Sequence, residues 1–165
     1  MNDPAGRPVI GVDAMGGDLA PGVVIQGAIE ATRESGGAFD VVLIGDEMLV
    51  RKEAARLHLT SGLPEVIHAS EHVEMGESGV TSVRKKKDSS INIAVRMEKE
   101  RRTQAMVSAG NTGAVVAAAL FGLGRIESVQ RPAIATVLPT PQGNVVILDV
   151  GATSDCKPYH LHQFA

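Results

Sequence analysis

Two short clusters of glycine and polar residues have the composition of ligand-binding turns. Residues 13–18 (DAMGGD) place carboxylates on both sides of paired glycines, so the backbone can approach a ligand while Asp13 orients a hydroxyl, an amine or a metal. Residues 108–113 (SAGNTG) run directly into an apolar segment. The unpaired N–H groups and the dipole at a helix N-terminus favour phosphate. The second cluster therefore predicts an anion site.

Both clusters also have a purely structural interpretation. The first is then a tight turn in which Asp18 caps the following helix, and the second is a Gly-rich turn capped by Asn111 or Thr112. The residue types alone leave the two interpretations open at each cluster.

Four adjacent cations at residues 84–87 (RKKK) stand out in a chain whose formal net charge is −3. Asp88 or Ser89 can cap the helical segment that follows, which leaves the cations in the preceding turn, where they can meet phosphate. A solvated charged face is the usual explanation of such a run. The run therefore predicts either an additional phosphate contact or simple exposure to water.

A further polar cluster, residues 149–158 (DVGATSDCKP), joins an apolar run to carboxylates, hydroxyls and one lysine, and Pro158 is suited to begin a helix. Cys156 has no evident base nearby, so buried packing is a more common role for it than nucleophilic catalysis. His160 and His162 have no third ligand in the sequence around them, so a metal site is not expected.

The elements that must position these clusters alternate along the chain. Six β-rich runs are separated by segments of helical period, and those at 41–44 (VVLI) and 145–148 (VVIL) are continuously apolar, as in strands buried on both faces. The alternation predicts an α/β fold with a doubly wound, mainly parallel sheet in an α/β/α sandwich. The predicted strands are 9–12, 39–44, 65–69, 105–108, 133–138 and 144–150.

Helix boundaries are marked by the same kind of local signal. Pro21 opens a segment whose Val24, Ala28 and Ala31 lie on one stripe, which we expect to face the core. Asp46 can cap the next helix.

Composition bounds the class of protein. The 165 residues are 44% apolar and 21% charged, which suits one α/β domain over the whole chain, 1–165, and excludes disorder. The net negative charge and the near absence of aromatic residues weigh against nucleic-acid binding. The N-terminus lacks the basic and apolar regions of a signal peptide, so the cytoplasm is the expected compartment.

Taken together, these motifs resemble the N-terminal half of the bacterial phosphate acyltransferases, the PlsX family. The resemblance extends in family order along nearly the whole chain, and the combination is much more specific than any one motif. The matching stretches are VDAMGGD (12–18), LIGDE (43–47), HASE (68–71), RKKKDSSI (84–91), SAGNTGA (108–114), RPAIATVLPT (131–140) and LDVGA with DCKP (148–158).

The resemblance implies transfer of a fatty acyl group from acyl carrier protein, or from coenzyme A, to inorganic phosphate in phospholipid synthesis. It implies a fold related to phosphotransacetylase and isopropylmalate dehydrogenase, a homodimer, and neither a metal nor a redox cofactor. It also implies peripheral membrane contact through the half of the family's length that this chain does not match. Because that half is not matched, the resemblance further implies that the fold of this chain is incomplete.

Such a reaction needs a site that holds a phosphate dianion beside a thioester and stabilises the oxyanion. We predict catalytic positions at Asn111, Lys87 and Asp149, with the strand-end carboxylates positioning donors or a water. We predict phosphate or substrate binding by small and hydroxyl residues of the polar clusters, namely Asp13, Gly16, Gly17, Ser108, Gly110, Thr112, Gly113, Ser89 and Ser90.

Two departures from the family pattern affect these predictions. Residues 76–79 (GESG) stand where acidic residues and a proline are expected, and Thr153 replaces an asparagine. The alternatives are a non-catalytic phosphate- or nucleotide-binding domain and an inactive fragment of the acyltransferase. A dehydrogenase of the related fold is disfavoured, because residues 122–127 (GLGRIE) lack the third glycine of the dinucleotide motif.

Overall fold

The structure is a computed structural model that describes residues 6–151 and 155–164. It divides into two compact units, Met1–Leu123 and Gly124–Ala165. Organisation of the chain as one domain stays a prediction.

The first unit alternates strands and helices around a four-stranded sheet. All pairings in this sheet are parallel, and the strand order is β3-β2-β1-β4. This confirms the predicted doubly wound, mainly parallel α/β fold. The elements are β1 (Val9–Asp13), α1 (Gly22–Glu34), β2 (Asp40–Gly45), α2 (Glu47–Arg56), β3 (Glu65–His68), α3 (Gly79–Lys85), α4 (Ser90–Lys99), β4 (Ala105–Val107) and α5 (Thr112–Gly122).

The two faces of this sheet have separate apolar cores. Along β2, Val41 and Leu43 pack in the cluster that includes α1 and α2, whereas Val42 and Ile44 pack in the cluster that includes α4. Fully burying a side chain of this size stabilises the fold by about 2 kcal/mol. The run at 41–44 is therefore buried on both faces, as predicted.

Local signals locate the helix ends better than they locate the core. Asp46 caps α2 as predicted, since its carboxylate accepts a hydrogen bond of 3.0 Å from the Leu49 N–H. The stripe predicted for α1 is wrong in part. Ala28 is buried together with Ile25, but Val24 is only half-buried and Ala31 is exposed.

The second unit contains a hairpin and a short helix. β5 (Ala135–Thr140) and β6 (Gly143–Leu148) pair antiparallel, and α6 (Pro158–Phe164) begins at Pro158, as predicted. The prediction that residues 145–148 form a strand buried on both faces is wrong, since every residue of β6 is exposed. Two residues connect β5 to β6, and so short a connection can form only a hairpin, whereas a parallel neighbour needs a crossover.

No helix in the described part of the chain has both the length and the apolar character needed to cross a membrane.

Candidate functional site

The carboxyl ends of β1 and β4 meet at a buried carboxylate. Val12 pairs with Val107, which brings the next residues, Asp13 and Ser108, side by side. The Ser108 hydroxyl donates to Asp13 Oδ2 at 2.7 Å, and the Met15 N–H donates to Asp13 Oδ1 at 3.1 Å. Asp13 is only 1% exposed. Two predicted binding residues, far apart in sequence, are therefore joined directly at this strand end.

Glycines are required where the two strand-end turns touch. A Cβ atom on Gly16 would lie 2.7 Å from Asp13 Oδ2 and 2.8 Å from the Gly110 nitrogen. Gly17 has a φ of +105°, a conformation that favours glycine. The Gly110 N–H donates to the Ser108 hydroxyl oxygen at 3.1 Å. This N–H, predicted to contact phosphate, is thus already hydrogen-bonded inside the turn.

Asn111 links the start of α5 to a neighbouring loop. Its Oδ1 accepts from the Ala114 N–H at 3.0 Å, which confirms the interpretation of Asn111 as the helix cap. Its Nδ2 donates to the carbonyl oxygens of Glu74 (3.1 Å), Met75 (3.1 Å) and Glu77 (2.8 Å). The amide is fully used in positioning, so its predicted catalytic role stays a prediction.

The first turn of α5 is the accessible part of this cluster. Thr112 and Gly113 are both exposed, and the N–H groups of a first helical turn have no acceptor within the helix. The positive end of the helix dipole adds to their attraction for an anion. These two residues retain the geometry that the sequence predicts for phosphate binding.

The basic run is divided by its contacts. Lys86 donates to the His72 carbonyl at 2.8 Å and forms a short ion pair with Glu77. The Arg84 guanidinium lies 4.9 Å from the centre of the Phe121 ring. Lys87 is exposed and makes no hydrogen bond or ion pair with any residue that the structure describes. Lys85 is likewise exposed without such a partner, so Lys85 and Lys87 are the cations of the run whose charge is left for an anion, which is consistent with the predicted role of Lys87.

Ser89 and Ser90 stand at the start of α4 and are enclosed. They are 0% and 1% exposed, and neither hydroxyl has a partner among the described residues. The neighbouring Asp88 accepts hydrogen bonds from the Ser70 hydroxyl (2.6 Å) and N–H (3.1 Å), which lower its pKa. A substrate contact by the two serines stays a prediction.

The sequence analysis missed Glu77 as an organising residue. The Lys86 ammonium and the Ser82 hydroxyl both bond its carboxylate and lower its pKa from 4.5 to about 2. Its own carbonyl accepts from Asn111. Glu77 and Lys86 are nine positions apart, and no local periodicity marks such a pair, so the sequence contains no signal for it.

This ion pair predicts acid sensitivity. Because the folded-state pKa of Glu77 lies below the unfolded value, the pair contributes stability that is complete above about pH 4.5 and is lost as the pH falls toward 2. The free energy of unfolding, measured with denaturant across that range, is expected to fall less steeply for Glu77→Gln than for the wild type. Parallel pH dependences for the two proteins would contradict this assignment.

The last polar cluster belongs to the second unit. Asp149 Oδ1 accepts from the Ile134 N–H at 2.9 Å, Cys156 is half-buried, and Thr153 lies outside the described residues. Burial lowers the pKa of His160, whose Nδ1 accepts from the Lys157 N–H at 3.1 Å. A joint role for Asp149 and the strand ends of the first unit stays a prediction. Within the described ranges, no three His, Cys, Asp or Glu side chains form a group that could hold a metal ion.

Comparison with known proteins gives a consistent result. The family model described as "Fatty acid synthesis protein" matches residues 9–165. The chain is 47% identical over 156 residues to a phosphate acyltransferase of Nitratidesulfovibrio vulgaris (strain DP4), covering 94% of this chain and 45% of that protein. It is 50% identical over 157 residues to the phosphate acyltransferase of Anaeromyxobacter sp. (strain Fw109-5), covering 94% and 43%. The chain thus spans less than half the length of these relatives.

Proposed function

The chain belongs to the fatty acid synthesis protein family, and from this premise we propose that its site transfers a fatty acyl group from acyl carrier protein to inorganic phosphate. A phosphate oxygen attacks the thioester carbonyl, the new C–O bond forms and the C–S bond breaks. The products are acyl phosphate and the carrier thiolate, which takes up a proton. The names of the relatives support acyl transfer to phosphate.

The observation that carries the proposal is the exposed first turn of α5, built directly onto the Asp13–Ser108 contact. Thr112 and Gly113 offer backbone donors to a phosphate dianion at the positive end of the helix dipole. Lys87 supplies a cation for the same anion. The residues behind this turn hold it at a fixed place against the sheet, and such positioning supplies much of the rate of a transfer between two bound groups.

Asp13 acts in this proposal as a positioning residue. Asp13→Asn keeps the shape and the acceptor for the Met15 N–H, but it removes the charge that holds the Ser108 hydroxyl. We expect turnover to fall roughly 100-fold, because small displacements at a reacting centre cost that much. The control is Asp18→Asn, the same change at an exposed residue of the same loop, which should leave turnover unchanged. Equal turnover in both variants would mean that Asp13 does not position the reacting groups.

The reaction itself is tested by release of free thiol from palmitoyl acyl carrier protein with and without phosphate. Phosphate-dependent release by the chain is the expected result. Binding of phosphate without release would favour the two alternatives, the non-catalytic phosphate-binding domain and the inactive fragment of the acyltransferase. Release at the same rate without phosphate would indicate a hydrolase and would overturn the proposal.

The proposal also includes properties that rest on the family resemblance. They are a role in phospholipid synthesis, a homodimer, and a cytoplasmic location with peripheral membrane contact through the half of the longer relatives that this chain does not match. Sedimentation of the chain measures the dimer, and flotation of a full-length relative with anionic vesicles, beside this chain, measures the membrane contact.

A further inference from the structure

A cavity of about 560 Å³ lies beside the strand ends of the first unit, between α1 and the sheet. Its floor is one face of two paired strands, because Ile10 pairs with Ala105 and Val12 pairs with Val107. We name this cavity the α1 groove. Its volume and its apolar character are those of small-molecule sites.

The wall of the α1 groove is a row of small and branched residues on α1. Val23, Val24, Gly27 and Ala31 recur at helical spacing along this side of the helix. Gly27 leaves open space, since nothing lies within 4 Å of the position where its Cβ would stand. Val24 and Ala31, which the sequence assigned to the core, therefore line a groove instead.

The two ends of the α1 groove differ in chemistry. Phe39, which precedes β2, lies at the amino ends of the strands. The opposite end reaches Asp13, the last residue of β1, and Ala109, two residues beyond the end of β4. The strand order reverses between β1 and β4, and ligands of doubly wound sheets bind outside the carboxyl ends at such a switch point. An apolar channel thus opens onto the turns that the proposed reaction uses.

We propose that the α1 groove binds the hydrocarbon chain of the acyl donor, with the thioester at its Asp13 end; this rests on the proposed function. A hydrocarbon tail fits because it brings no polar group that the apolar floor and wall would leave unpaired. A thioester at the Asp13 end lies at the carboxyl ends of β1 and β4, the strand ends at which phosphate is proposed to bind. The two reacting groups are then brought together at one strand end.

The test is binding of S-hexadecanoyl-pantetheine, a thioester that carries the acyl group without the carrier protein, to the chain without phosphate. Affinity is expected to rise from the S-acetyl to the S-octanoyl and S-hexadecanoyl compounds, by about fourfold for each methylene that enters the groove. Gly27→Phe fills the groove and is expected to lower affinity for the S-hexadecanoyl compound at least tenfold. Phenylalanine is also a better helix former than glycine, so this variant is expected to fold.

The matched control is Gln26→Phe, which adds the same ring at the preceding residue, a position that does not line the groove. This variant is expected to bind within twofold of the wild type. Unchanged binding by Gly27→Phe, or a wild type without chain-length preference, would overturn the proposal. Unchanged binding together with an altered sedimentation coefficient would assign the groove to a polypeptide instead.

Because this titration contains no phosphate, it is independent of turnover. In one outcome, binding depends on chain length, Gly27→Phe abolishes it, and no phosphate-dependent thiol release is seen. This outcome would support the acyl-chain site in the groove and contradict the proposed reaction. In the other outcome, the wild type releases thiol in a phosphate-dependent manner and Gly27→Phe binds the thioester normally. This outcome would support the proposed reaction and place the acyl chain elsewhere.

Discussion

Gly79→Ala is expected to lower the free energy of unfolding by about 3 kcal/mol, the upper end of the usual cost of overpacking. A Cβ on Gly79 would lie 2.3 Å from the Gly113 carbonyl carbon and 2.3 Å from the Ala114 nitrogen. Both are backbone atoms of the first turn of α5, so no side-chain rotation can relieve the contact. The variant must separate α3 from α5 and loosen the apolar cluster that includes Val83 and Ala117.

The control for this variant lies three residues earlier. A Cβ on Gly76 has no atom within 4 Å, and its φ is not in the left-handed region. Gly76→Ala is therefore expected to change the free energy of unfolding by less than about 0.5 kcal/mol. Denaturant unfolding of both variants measures the difference. Equal stability of the two would mean that α3 and α5 do not pack as closely as the structure has them.

Asn111→Asp is expected to cost about 3 kcal/mol as well, for an electrostatic reason. Aspartate preserves the cap, because its carboxylate can still accept from the Ala114 N–H. It loses both N–H donors and turns an anion toward the three carbonyl oxygens of the 74–77 loop. Leaving such groups unpaired costs about 1–3 kcal/mol each when they are shielded from water.

The control for this variant is Asp46→Asn, the reverse substitution at the cap of α2. Asp46 accepts from the Leu49 N–H, a contact that asparagine reproduces, so a change below about 0.5 kcal/mol is expected. The comparison also separates positioning from catalysis at Asn111. If Asn111→Asp unfolds at the wild-type denaturant concentration and loses only turnover, then Asn111 acts on the substrate and the positioning role is wrong.

Much of the first unit follows from the sequence because its signals are local. The continuous apolar run at 41–44 predicts a strand covered on both faces, and Asp46 predicts a helix start, since each depends on residues within a few positions. The sequence alone also predicted that Asp13 and Ser108 belong to one binding site. The carboxyl ends of parallel strands share one edge of a sheet, so residues that follow such strands converge.

Only the tertiary structure decided how those residues are used. It placed Lys86 of the basic run in an ion pair with Glu77 and left Lys85 and Lys87 exposed, committed the Asn111 amide to a distant loop, and left Gly27 beside an open groove. It also paired the apolar run at 145–148 in an exposed hairpin. Sequence periodicity specifies the face on which a side chain lies. The partner it meets depends on register and on the approach of segments far apart in the chain, which no local pattern encodes.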